Sequence, residues 1–198
     1  MTVTESSYPA RPGQDYPVSE AVISEDGLYR YVLNRRWSDG PVMPWIGLNP
    51  STADHRVDDP SVRRMCGFAR REGCGGICVL NAYALRSPVP DALRDAIEVA
   101  GIDPVGPDND KWIAGLAEDL FLSWYLDGEK PVPVVAAWGA NPLAGARVPR
   151  ILELLGDIPL ACLGVTASGA PRHPLYVRAD APLVPYIPAG AADDCPHC

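Results

Sequence analysis

Short apolar runs alternate along the chain with longer segments of helical spacing. Residues 28–37, LYRYVLNRRW, alternate in the way of a strand with one wet face. Four further apolar runs follow: VMPWIGL (42–48), GICVLNA (76–82), VPVVAAWG (132–139) and PLACLGV (159–165). Each is short, partly β-branched or aromatic, and bounded by turn residues, which predicts strands. Between them the spacing predicts helices. Pro60 follows Asp59 at a first helical position, and Val62, Met65, Cys66 and Ala69 recur on one face. A short helix over 91–100 carries Leu93 and Ile97. Residues 109–126 set Trp112, Ile113, Leu116, Leu120 and Trp124 on one stripe, which reads as core. Val148, Ile151, Leu152 and Leu155 mark a last helix, stopped by Gly156. Strands alternating with helices predict a three-layer α/β/α domain whose central, mostly parallel sheet is covered on both faces.

The flanks differ in composition. Residues 1–20 are polar and proline-bearing and read as a flexible tail, as does PAGAADDCPHC at the end, which leaves one α/β domain over 21–188. The chain has 198 residues, enough for one sizeable core. No apolar stretch approaches a membrane span and the N-terminus carries no apolar signal region, so a cytoplasmic protein of bacterial or phage style is expected. Cys66, Cys74, Cys78 and Cys162 lie in or beside apolar segments and read as free, buried thiols. Cys195-Pro-His-Cys198 has half the ligands of a structural zinc site, and a tail is the simpler reading. No metal or cofactor is required by any motif. The net charge of -8 argues against a protein that coats duplex DNA, although Arg63, Arg64, Arg70 and Arg71 would form a local basic face.

In open α/β sheets ligands sit beyond the carboxyl ends of the strands. The residues at those ends are Asn49 with Pro50 and Ser51, then Asn81, then Trp138 with Gly139, then Thr166 leading into Arg172-His173-Pro174. Two asparagines and a histidine on one rim are uncharged hydrogen-bonding groups suited to a ligand site. Each has a plainer reading alone: Asn49 as a turn residue before proline, Asn81 as a strand-end cap, His173 as a loop histidine. Asp59 reads first as a helix cap.

The stretches GLNPSTAD, DDPSVRR, NAYALR, DPVGPDND, WGA and RHPLY, in that order, resemble the microbial family called domain of unknown function 1643. The order Gly-x-Asn-Pro, Leu-Asn, Trp-Gly, His-Pro is more distantly similar to the uracil-DNA glycosylase superfamily. That second likeness implies its three-layer fold and a role for each matching residue. Asn49 would position the attacking water, Asn81 would read the base edge, and His173 would face the base carbonyl oxygen. Tyr83, just after Asn81, is a stacking candidate, and Ser51, Asp54, Asp59 and Arg172 are candidate supports.

The chemistry suits these residue types. Breaking an N-glycosidic bond leaves the base anion-like, and an imidazole N–H aimed at the developing oxyanion stabilises it. An amide reads a base through one donor and one acceptor. The sequence departs from the likeness at two places. Asn49 stands where the strongest members carry Asp and cannot act as a base, and Leu175-Tyr176 follow His-Pro in place of small and hydroxyl residues. The expectation is therefore a nucleobase-recognising protein with nucleobase, nucleotide or DNA as partner, acting as an N-glycosidic hydrolase on DNA. The alternatives are a non-catalytic base- or nucleotide-binding module and an enzyme acting on a free nucleoside or nucleotide.

Overall fold

The structure, a computed structural model, describes residues 3–8, 16–87, 91–96, 98, 101–127 and 132–188. Eight strands, β1 (Val3–Tyr8), β2 (Val18–Ser24), β3 (Arg30–Arg36), β4 (Val42–Gly47), β5 (Gly76–Asn81), β6 (Val134–Ala136), β7 (Leu160–Cys162) and β8 (Val184–Pro185), form one mixed sheet. The helices are α1 (Pro60–Arg71), α2 (Asp91–Asp95), α3 (Asn109–Asp127) and α4 (Pro142–Leu155). The strand order is β1-β2-β3-β5-β4-β6-β7-β8.

Only the centre is parallel. β4 pairs in parallel with β5 and β6, and β6 with β7, whereas β1, β2, β3 and β8 join antiparallel. The expectation of a mostly parallel sheet is corrected by these edges. The chain enters through β1, β2 and β3 before any helix, and strands joined without a helical crossover pair antiparallel. β2 begins at Val18, inside the stretch expected to be a tail. Its apolar alternation is hidden because two inward positions are serines. Ser19 Oγ donates to the His55 carbonyl at 2.8 Å, and Ser24 Oγ to Asp26 Oδ1 at 2.5 Å.

The period of two sorts side chains onto the two faces. Met43, Trp45, Ile77, Val79 and Val135 meet Val62, Met65, Cys66, Phe68 and Ala69 of α1 on one face. Ile46, Leu80, Val134 and Ala136 meet Ile113 of α3 and Ala144, Ile151 and Leu155 of α4 on the other. Helices therefore cover both faces. β3 has no wet face: Arg30, Tyr31, Val32, Leu33 and Arg35 are all buried. α1 starts as the sequence predicts, with Pro60 in its first turn and the Asp59 side chain accepting from the Val62 N–H at 2.8 Å.

The α3 stripe holds in its first turns and not its last. Ile113 is fully buried and Trp112, Leu116 and Leu120 pack against the core, but Trp124 is 40% exposed and meets Phe121 edge-to-face. Leu93 of α2 is buried as expected, and Ile97 lies outside the described residues. Cys66, Cys74 and Cys162 are buried and Cys78 partly so, all as free thiols. Among the described residues no helix is long and apolar enough to cross a membrane. Residues 189–198, with Cys195 and Cys198, lie outside the described residues.

β4 sits between β5, the next strand in the chain, and β6, which follows two crossovers later. The connection from the carboxyl end of β4 runs to β5 on one side and that from β6 runs to β7 on the other, and a crevice opens between them.

Candidate functional site

A cavity of about 570 Å³ occupies that crevice. Its walls come from four strand ends: Gly47, Leu48, Asn49 and Ser51 after β4, Asn81 at the end of β5, Trp138 to Asn141 after β6, and Thr166, Arg172 and His173 after β7. Asn49, Asn81 and His173 thus line one space, together with Ser51, Asp59 and Arg172. The backbone fixes two of the ends relative to each other. Ala82 N–H donates to the Gly47 carbonyl and Tyr83 N–H to that of Leu48, both at 2.9 Å, and Ser87 N–H to that of Pro50 at 2.8 Å.

Asn49 is held by its amide nitrogen. Nδ2 donates to the carbonyls of Pro50 at 3.2 Å and Ser87 at 3.0 Å, so the atom there must be nitrogen. Oδ1 remains as an acceptor. Asn81 is the reverse case. It is only 3% exposed, yet among the described residues its Nδ2 has no hydrogen-bond partner. Buried amide groups are rarely left so, and such an atom calls for an explanation. Its Oδ1 lies against Gly47, where an added Cβ would stand 2.8 Å away, so glycine is what lets the amide sit there. The end of β5 is gripped from behind: Asn109 Nδ2 donates to the carbonyls of Asn81 and Ala82 at 3.0 and 3.2 Å, and Arg147 Nε to that of Ala82 at 2.9 Å.

His173 caps a short 3-10 turn, Pro174–Tyr176. Its Nδ1 accepts from the Leu175 N–H at 3.3 Å, which leaves the proton of the neutral ring on Nε2. Burial lowers its pKa against the pull of the Asp59 charge, so the ring is neutral at pH 7. Beside His173, Gly139 takes φ of 74°, a conformation that favours glycine, and an added Cβ there would stand 3.7 Å from the His173 Cβ.

Two candidates lie elsewhere. Tyr83 is buried in the core, donates its hydroxyl to the Leu143 carbonyl at 2.7 Å, and does not line the cavity. Its aromatic area is spent on packing, so a stacking role is corrected. Asp54 accepts from the Arg56 and Val57 N–H groups at 2.7 and 2.9 Å and closes its own loop outside the cavity. Burial raises its pKa, and these two bonds outweigh that and hold it low. The expected basic residues lie together on α1, with Arg63, Arg70 and Arg71 exposed and Arg64 partly so, and each is anchored locally. Arg63 bonds the Asp58 carbonyl, Arg64 those of Pro174 and Val177, and Arg71 that of Ala179, while Arg70 stacks over Trp37.

Arg30, Asn109 and Asn141 were not legible as site residues. Arg30 sits at the first position of a strand that reads as half wet, and nothing in LYRYVLNRRW distinguishes it from Arg36. Asn109 reads as a helix start and begins α3, and Asn141 caps α4, accepting from the Leu143 N–H at 2.9 Å. Among the described residues no group of three His, Cys, Asp or Glu side chains is placed to hold a metal.

The family model described as "Protein of unknown function (DUF1643)" matches residues 30–175. The chain belongs to the DUF1643 family. The matched span runs from Arg30 to Leu175, so it contains every cavity-lining residue except Tyr176. No curated protein and no solved structure matches this DUF1643 chain.

Proposed function

We propose that this DUF1643 protein recognises a nucleobase in the strand-end cavity and hydrolyses its N-glycosidic bond, with the three-layer arrangement of the uracil-DNA glycosylase superfamily. The observation that carries the reading is Asn81: a buried amide whose N–H has no partner among the described residues, with its carbonyl beside Gly47, has the donor and acceptor that a base edge requires. His173 supports it, since a neutral ring with its proton on Nε2 can stabilise a departing base oxyanion without giving up that proton. Asp59 is the one carboxylate among the lining residues. In the reaction a water attacks the anomeric carbon, the carbon–nitrogen bond breaks with its electron pair leaving on the base, and the proton of the water passes to Asp59. Asn49 Oδ1 accepts from that water.

One observation favours a binding module instead. Asn49 cannot take up a proton, and Asp59 Oδ1 is committed to the α1 cap. Incubation with nucleosides, nucleotides and oligonucleotides carrying common and modified bases decides between them. Release of free base, seen by chromatography, supports hydrolysis. Saturable binding without release supports the module, and neither outcome with any base would end the nucleobase reading.

A further inference from the structure

Base recognition leaves one group in the cavity unexplained. Arg30 is 2% exposed and lines the cavity wall. Its Nη1 donates to the Ala53 carbonyl at 2.6 Å, while Nε has no partner, and among the described residues it forms no ion pair. Arg35, on the same strand and equally buried, shows the contrast. Its Nε pairs with Asp58 at 2.8 Å, its Nη1 bonds the Asn34 carbonyl, and its Nη2 bonds that of Asp54. A buried guanidinium with one hydrogen bond and no counter-ion is costly, and such charges are ordinarily paired. Burial lowers the Arg30 pKa to about 10, opposed by the Asp59 charge, so it is still a cation at neutral pH.

The rest of the wall has the same bias. Among the described residues that line the cavity, the two buried side-chain atoms without partners, Arg30 Nε and Asn81 Nδ2, are both N–H donors. Arg172 adds a second cation at the rim, its Nε on the Val165 carbonyl at 3.0 Å. The N-terminus of α4 opens onto the cavity at Asn141, bringing the positive end of a 14-residue helix. The opposing charge is Asp59, partly satisfied by its cap bond.

We infer that the cavity takes a free nucleotide, with a phosphoryl group on the Arg30 guanidinium while the base meets Asn81. The inference rests on the proposed base reading for the second contact alone. A guanidinium suits phosphate because its donors match the oxygens in pairs. A volume of about 570 Å³ lies within the range of small-molecule sites. Duplex DNA is the poorer fit. The net charge is -8, and the α1 arginines Arg63, Arg64, Arg70 and Arg71 are not among the residues lining the cavity.

Calorimetric titration of the full chain with each common 2′-deoxynucleoside, its 5′-monophosphate and inorganic phosphate tests this. The monophosphate of the accepted base is expected to bind about tenfold or more tightly than its nucleoside, an advantage that shrinks as salt rises. Arg30→Gln should remove the advantage and leave nucleoside affinity in place. Because that variant also loses the tie to Ala53, the parent's nucleoside-to-monophosphate ratio stands as a measure that needs no variant. Equal affinities in the parent, or an advantage retained in a folded Arg30→Gln protein, would overturn the anion contact while leaving base recognition intact. Inorganic phosphate bound through Arg30 with no nucleoside bound would keep the anion contact and overturn the base reading. A single-stranded oligonucleotide bound more tightly than the monophosphate would overturn the choice of a free nucleotide, and no binding of any probe would overturn both.

Discussion

Gly47→Ala probes the site through its most confined contact. A Cβ at residue 47 would stand 2.8 Å from Asn81 Oδ1, whereas ordinary contacts begin at 3.4 Å, so the amide must retreat by about 0.6 Å. No hydrogen bond among the described residues ties its nitrogen side, because Asn81 Nδ2 is without a partner there. Turning the side chain off its rotamer costs roughly 0.5–1.5 kcal/mol. The backbone at 47 has no positive φ, so alanine also gains roughly 0.4–1 kcal/mol by restricting the unfolded chain. The two nearly cancel, and the melting temperature should move by less than about 4 °C. Ligand binding should not be spared. A displaced amide leaves a buried hydrogen bond unmade, at roughly 1–3 kcal/mol, which is about 5- to 150-fold in affinity for the accepted nucleoside or nucleotide. Calorimetric titration measures the affinity, a thermal melt the stability, and the Asn81 side-chain amide resonance reports the displacement. If that resonance moves and affinity does not, Asn81 does not read the ligand and the reasoning fails.

Three further outcomes are expected. Asp59→Asn should preserve the α1 cap, since asparagine caps as well as aspartate, and abolish base release while ligand affinity stays; unchanged release would remove Asp59 from the chemistry. His173 has a lowered pKa, so below its usual value of about 6.5 the unfolded chain takes up a proton that the folded ring resists; stability present above that pH is lost on acidification. His55 acts in the same direction, so urea melts from pH 7 to 5 should show a smaller loss for His173→Gln than for the parent, and equal losses would contradict the assignment. Asp58→Ala strips the buried Arg35 of its counter-ion and should cost about 3–5 kcal/mol, a fall of roughly 6–20 °C in melting temperature, with a fall under about 2 °C refuting the pair's role.

The parts of the fold that were legible are those where pattern and packing agree. β4 to β7 and α1 carry apolar residues at the spacing of their element, and the structure buries those residues. β2 was not legible, because its inward Ser19 and Ser24 find hydrogen-bond partners that only the fold supplies. The exposed end of α3 was misread for the opposite reason: Phe121, Leu122, Trp124, Tyr125 and Leu126 are apolar but stay exposed. At the site, Asn49, Asn81 and His173 were legible because each ends or follows a central strand, and strand ends converge by topology alone. Tyr83, two residues after Asn81, lies beyond the end of β5, where the strand alternation no longer governs, and its hydroxyl is bonded to the Leu143 carbonyl. Arg30 was out of reach, for its significance lies in a missing partner, and a sequence displays side chains without their partners.

The segment DDPSVRR shows how far one short motif can act. Read along the chain it is an acidic helix start followed by two solvated arginines. In the fold Asp58 neutralises Arg35 beneath the sheet, and Asp59 caps α1 with its carboxylate in the cavity wall. One turn further along α1, Arg64 donates to the Pro174 and Val177 carbonyls, on either side of the turn that begins at His173. Its guanidinium also lies over the Phe68 ring at 4.9 Å, which fixes its direction. α1 therefore joins two walls of the cavity that are more than a hundred residues apart in sequence. Pulling either end moves the other, because a 12-residue helix packed on the sheet by five buried side chains shifts as one body. The position of the His173 Nε2 proton relative to the Asp59 carboxylate is thus set by this helix, with Arg64 holding the turn that follows His173.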